Sequence, residues 1–363
     1  MNESPGDCGP CLMADGNVAS KSVEPVSKRG RFDLLLSGFH LPAFTFFSGM
    51  SAITRGRLLT IASAAGFAFM GLFVKLMPAN ISSHEKVFFR SLLGLVALVG
   101  WIAARRTWPS RPVNVPGLIW RGTIGAGALL LFFYSLDNAG LTKAMLYSYT
   151  YPLFAVVFAW FELGERPGRV TLVALVVAVA GTLLTLNMQG MTPQMTSGEL
   201  AGLLSGILSG AAVSSVRKLR RTESSTWIVI SFLAISALAA VPFMWSRFVL
   251  PGGLAWLLLG ATALTAMVSQ MAMTKAYKVL SAAEGSVMSL ATVPVSAALA
   301  VVFLGETMSV RFLLGAALVL TACALLCLTM NDADGARTDT VDLPETNRPT
   351  PIEPSRANMD EAA

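Results

Sequence analysis

The chain has 363 residues, of which 54% are hydrophobic and only 13% charged, with a formal net charge of +6 and a mean hydropathy of +0.63. Soluble domains carry about 25% charged residues, so this composition excludes an ordinary water-soluble globule. The basic residues fall in short clusters between apolar runs, where membrane topology places them, which argues against a nucleic-acid-binding face.

Residues 1–31 are rich in Ser, Gly, Pro and charge and read as unstructured. They hold no apolar core of the kind a secretory signal needs. Cys8-Gly9-Pro10-Cys11 has the spacing of a redox dithiol but lacks the βαβ context that would support one. Residues 34–50 are apolar but include His40 and Pro42. They are shorter than the roughly 20 residues a spanning helix needs, so an interfacial segment is expected. A start at Met50 is an alternative, with Arg55 and Arg57 then forming a short basic lead-in.

Ten apolar runs follow, at 57–77, 85–104, 117–136, 143–162, 168–187, 199–216, 226–246, 253–274, 283–303 and 310–330. At 1.5 Å per residue they cover roughly 27 to 33 Å, against a hydrocarbon core of about 30 Å. Only helices and closed barrels span lipid, and runs this continuous are helices. Between Arg57 and Met330 there are eight acidic residues: Glu85, Asp137, Glu162, Glu165, Glu199, Glu223, Glu284 and Glu306. The acidic, proline-containing segment 331–363 reads as a solvated tail. With the amino terminus in the cytoplasm, twelve loop-proximal Lys and Arg residues fall on the inner side and six on the outer. The expectation is a multi-pass cell-membrane protein with both termini cytoplasmic.

The chain also repeats itself. Pro152 and Pro294 are 142 residues apart, as are Thr150 and Thr292, and Lys75 and Arg217; Glu165 and Glu306 are 141 apart. Each proline is followed by an apolar stretch ending in Leu-Gly-Glu, at 163–165 and 304–306. Ten spans and this offset give two units of five. Five is odd, so the second unit enters the membrane from the opposite side. The expected fold is all-α: ten transmembrane helices in two inverted five-helix repeats, 57–187 and 198–330, flanked by segments 1–56 and 331–363. Inverted repeats are typical of secondary transporters, whose sites lie between the repeats.

These features resemble the drug/metabolite transporter superfamily of the EamA type. The resemblance rests on the paired Pro…Leu-Gly-Glu helices, Val87-Phe88-Phe89-Arg90 opening the second span and Phe133-Tyr134-Ser135-Leu136 closing the third. It covers roughly residues 57–330. The second half lacks the Arg-Pro that follows Glu165. The resemblance implies a central cavity lined by spans one, three, four, six, eight and nine.

Several residues are candidates for that cavity. Pro152 and Pro294 each remove a backbone donor, freeing the carbonyl of Ser148 or Leu290 for a ligand or for packing. Tyr147 and Tyr151 share a helix face and Tyr134 can join them; they line the cavity or form an interfacial belt. Ser286, Ser289, Thr292 and Ser296 form a small polar stripe, and Ser269 and Gln270 are similar in span eight. These read as cavity contacts or interhelical hydrogen bonds. Arg90 attracts an anion, pairs with Glu85 or Asp137, or snorkels. Glu284 is a proton or cation site, or a carboxylate favoured by a helix amino terminus. Gly198, Gly202, Gly206 and Gly210 mark a close-packed helix face. Glu165 and Glu306 read as structural.

The expected substrate-binding set is Arg90, Tyr134, Tyr147, Ser148, Tyr151, Gln270, Glu284 and Ser289. The sequence has no Walker A loop, metal-ligand cluster or nucleophile elbow, so no cofactor, metal or catalytic residue is expected. The expected function is secondary active transport of a small polar or amphipathic metabolite by alternating access, driven by a proton or a counter-substrate. Within transporters, a drug or amino-acid exporter stands beside an organic-anion or S-adenosylmethionine-type exchanger. A non-transporting scaffold or sensor is the competing reading, and a membrane enzyme finds no catalytic set. The lipid bilayer is the expected environment, with nucleic acid excluded and a homodimer compatible.

Overall fold

The computed structural model describes residues 51–329 apart from 79, 140, 186–195, 246–247 and 306–308. Both expected tails, the Cys8–Cys11 pair and Glu306 lie outside the described residues. The described part belongs to one compact unit, residues 50–363.

The described elements are all helices: α1 (Ala52–Leu76), α2 (Ser83–Arg105), α3 (Val115–Ala139), α4 (Leu141–Ser148), α5 (Tyr151–Leu163), α6 (Arg169–Thr185), α7 (Ser197–Leu219), α8 (Ser225–Met244), α9 (Gly253–Ala276), α10 (Ala282–Ser289), α11 (Thr292–Leu304) and α12 (Val310–Thr329). Eight stretches are long and apolar enough to cross a membrane, taking 282–304 as one; Tyr151–Leu163 and Arg169–Leu184 are shorter apolar helices. Phe161, Val302, Leu257 and Leu328 are at least 70% exposed, as a lipid-facing surface requires.

Most of the sparse acids hold the ends of helices. Ser82 with Glu85, Thr196 with Glu199, and Ser281 with Glu284 form reciprocal capping boxes on α2, α7 and α10. Glu85 also accepts from the Val249 amide at 2.7 Å, and Glu223 accepts from the amides of Val113 and Asn114. Gly164 and Gly305 terminate α5 and α11 at φ of 66° and 65°. That left-handed conformation favours glycine, which is why Leu-Gly-Glu recurs at both helix ends.

The fourth and ninth spans are not the single kinked helices that the sequence suggests. Each is two helices, α4 with α5 and α10 with α11. Pro152 sits in the first turn of α5, where its missing N–H costs no hydrogen bond. The helix therefore restarts at the proline rather than bending around it. Thr150 Oγ1 donates to Tyr147 O at 2.5 Å, and Thr292 Oγ1 donates to Ser289 O at 2.8 Å. The repeated threonine does the same job at both breaks.

The two ends of the bundle are distinct. At one end, called the basic end here, α1 begins, α7 ends, and the segments joining α2 to α3, α5 to α6 and α9 to α10 meet. At the other, α1 ends, α7 begins and Ser83 donates to Asp137 at 2.6 Å. Lys75 and Arg217, matched by the repeat, thus stand at opposite ends.

Candidate functional site

The glycine stripe of α7 supports the broken fourth span. A Cβ at Gly206 would stand 2.7 Å from Tyr147 O, and one at Gly210 would stand 2.5 Å from Phe154 Cβ and 2.7 Å from Ala155 N. Glycine is required there because the backbones approach closely, as the sequence pattern implies. Ser148 faces Ser205 at 3.5 Å, and Ser205 donates to Ala128 O at 2.8 Å. Tyr147 and Ser148 are half-buried, and Tyr134 is 40% exposed near the end opposite the basic one.

Deeper in, a polar group forms where α3, α5, α9 and α10 converge. The Tyr151 hydroxyl donates to Ser286 O at 3.2 Å. The Tyr151 and Tyr277 hydroxyls are both within reach of Ser289, but Ser289 donates to Gly285 O at 2.7 Å and no hydrogen bond to the Tyr277 hydroxyl is completed. Arg121 lies within electrostatic range of Tyr277 and places its guanidinium 4.8 Å from the centre of the Phe232 ring. Arg121 and Tyr277 are absent from the set expected from sequence. Arg121 is one of the twelve inner-side basic residues counted from the sequence, but it lies within α3 and is 4% exposed. Its place one turn inside the apolar run at 117–136 is the one local signal, and it does not separate a buried arginine from a snorkelling one.

The other expected residues separate from this group. Arg90 is 6% exposed and donates to the Met70 sulfur at 3.4 Å; Glu85 and Asp137 are occupied elsewhere. Gln270 is buried in α9. Glu284 is taken up by its capping box and by Arg57, 3.6 Å away. The polar stripe on the ninth span largely bonds within its own helices, Ser286 to Ala282 O and Thr292 to Ser289 O, rather than across helices.

The basic end is bridged by a set of bonds, called the latch here. Arg217 Nε meets Glu165 Oε1 at 2.8 Å, and Arg217 Nη1 donates to the carbonyls of Tyr277 and Lys278 at 3.0 and 2.9 Å. The Ala282 amide donates to Glu165 Oε2 at 3.2 Å. The carboxylate thus holds the amino terminus of α10, a helix from the other half of the chain, where a negative charge is favoured. Burial brings the Arg220 guanidinium down to about 10, and burial first, then neighbouring Arg220, lowers the Lys278 ammonium. A surface hollow of about 280 Å³ at the opposite end is lined by Pro78, Asn80, Ile81 and residues 251–255 and offers a ligand no charge.

Comparison with known proteins places these features in a family. The pseudopaline exporter CntI of Pseudomonas aeruginosa (strain UCBPP-PA14) is 30% identical over 281 residues, covering 77% of this chain and 98% of that protein. The aromatic amino acid exporter YddG of Ancylobacter novellus is 29% identical over 170 residues, 45% of this chain and 56% of that one. A solved crystal structure with 21% identity superposes with a TM-score of 0.63 over 77% of this chain and 98% of that one, which shows a shared fold. The family model described as the EamA-like transporter family matches residues 54–187 and 196–328. The chain belongs to the EamA-like transporter family.

Proposed function

We propose that the chain is a secondary active transporter that moves a small polar or amphipathic metabolite across the cell membrane by alternating access. In this reading residues 57–187 and 198–330 are inverted five-span halves that rock about the group near Tyr151 and Ser289. Tyr134, Tyr147 and Ser148 line the approach from the opposite end, and Arg90 lies beside it. Gln270 lines the same space from α9.

One observation carries the reading: two matched segments have unequal burial. Residues 282–288 of α10 are all buried beneath the latch. At positions 142 residues earlier, Met145, Ser148 and Tyr149 are half-buried where Val287, Leu290 and Ala291 are buried, and Asn138 is exposed where Leu280 is buried. Two copies of one design in different states fit a molecule closed at one end and accessible from the other. The clustering of Lys and Arg supports a cytoplasmic basic end, with both termini inside. The relatives named as exporters of pseudopaline and of aromatic amino acids support export.

Flux into proteoliposomes holding the purified chain tests this. Accumulation of at least one member of a broad metabolite panel, abolished without protein, is expected. No flux from folded protein across the panel contradicts the reading. Deleting residues 1–50 and 331–363 separates it from a scaffold acting through its tails, since a transporter core keeps its flux.

A further inference from the structure

We propose that Arg121 and Tyr277 form a carboxylate-binding subsite where the two halves meet, and that it takes the acid group of an amphipathic metabolite. The subsite extends the transport reading to a substrate class, and only the assumption that the ligand is cargo rests on that reading.

The pair combines burial with unmet hydrogen-bonding capacity. Arg121 is 4% exposed and Tyr277 is 1% exposed. Arg121 Nε and Nη1 and the Tyr277 hydroxyl are buried without a hydrogen-bond partner. A guanidinium offers five N–H donors and no acceptor, so only an acceptor satisfies it. Leaving a charge uncompensated inside a membrane protein is costly, and such residues usually mark pathways.

The nearby acids are committed elsewhere. Glu165 holds Arg217 and the Ala282 amide. Glu223 holds the amides of Val113 and Asn114. Glu284 holds Arg57 and its own cap. No carboxylate among the described residues pairs with Arg121.

The local packing keeps the pair in place. The guanidinium carbon stands 4.8 Å from the centre of the Phe232 ring, a cation–π contact that takes up no carbonyl or carboxylate acceptor. A Cβ at Gly125 would collide with Arg121 Nη1, so glycine there makes room for the guanidinium. A Cβ at Gly285 would collide with Tyr277 Cε1, so a second glycine seats the tyrosine ring.

A carboxylate matches these donors. It neutralises the guanidinium, accepts two parallel N–H bonds and leaves lone pairs for the tyrosine hydroxyl. A neutral carboxamide supplies a single oxygen and no charge. Leu118, Val213 and Met273 pack in the same cluster as Tyr277. Those apolar walls suit the body of an organic acid better than a hydrated inorganic anion.

Thermal-shift titration of the purified full chain tests the subsite. The probes are L-phenylalanine, L-histidine and glutarate, each beside its amide, with inorganic phosphate as a separate arm. At least one acid should raise the melting temperature while its amide does not. Its apparent affinity should fall about tenfold or more in Arg121→Gln and about threefold to tenfold in Tyr277→Phe. Tyr277→Phe keeps the ring against Gly285, so it decides the matter if Arg121→Gln fails to fold. The proposal is overturned if no acid shifts the melt, if amides shift it equally, if phosphate outperforms every acid, or if Tyr277→Phe binds as wild type. Flux that is indifferent to both substitutions removes the subsite and leaves the transporter. Carboxylate binding without flux removes the transporter and leaves the subsite.

Discussion

Glu165→Gln should shift the protein toward a state open at the basic end. Glutamine keeps the shape of the side chain but removes the charge that Arg217 Nε meets at 2.8 Å and the Ala282 amide meets at 3.2 Å. Arg221, 3.9 Å away and largely exposed, adds little. Charge-assisted bonds are worth about 1.5 to 3 kcal/mol when their partners are shielded from water. Glu165 and Arg217 side chains are each 19% exposed, so the lower part of that range applies, roughly 2 kcal/mol in all. Because these bonds join the two halves, their loss destabilises the closed arrangement more than either half alone. About 1.4 kcal/mol is a factor of ten in an equilibrium, so the open population should rise roughly 30-fold. The assay labels Ala283→Cys with a membrane-impermeant maleimide, in a background lacking the four native cysteines; Ala283 is 5% exposed. Labelling should be slow while Glu165 is intact and much faster in Glu165→Gln. Exchanging the charges through Glu165→Arg with Arg217→Glu should slow it again in part. Equal labelling rates with and without the Glu165 charge would refute the latch.

Three further outcomes follow from the packing. Gly210→Ala should cost about 1 to 3 kcal/mol through overpacking, because its Cβ meets Phe154 Cβ and the Ala155 backbone; the thermal melt reads it, and an unchanged melt contradicts the close approach. Thr150→Val and Thr292→Val should each lower stability by about 1 kcal/mol, since each removes one hydroxyl bond at a helix break; a loss at only one site would deny that the breaks are equivalent. Glu223→Gln should loosen the segment joining α2 to α3, seen as faster amide exchange at Val113 and Asn114, and unchanged exchange would show that the carboxylate does not hold it.

Features carried by spacing were the legible ones. Apolar runs marked the spans, the glycines of α7 predicted a close approach that the structure places against Tyr147 and Phe154, and the Leu-Gly-Glu repeat located two helix ends. Features that depend on distant partners were hidden. Glu165 reads locally as a cap for the next helix, whereas its partners are Arg217 and Ala282, 52 and 117 residues away. A proline within an apolar run reads as a kink, and only the turn at Tyr149 and Thr150 shows that Pro152 opens a new helix. Arg121 near the edge of a run looks like any snorkelling arginine. Its burial follows from the Phe232 ring and from the space beside Gly125, which no local pattern encodes. Glu284 carried a promising intramembrane charge, yet its capping box and Arg57 account for its bonds.

Alternating access is tested most directly by paired distance measurements between spin labels in lipid. One pair spans the basic end, at Arg166 and Lys278; the other spans the opposite end, at Asn138 and Phe303, all four of which are exposed. The account predicts two populations at each end, anticorrelated, with Glu165→Gln lengthening the first distance as it shortens the second. A single distance at both ends, unmoved by the substitution, would contradict it.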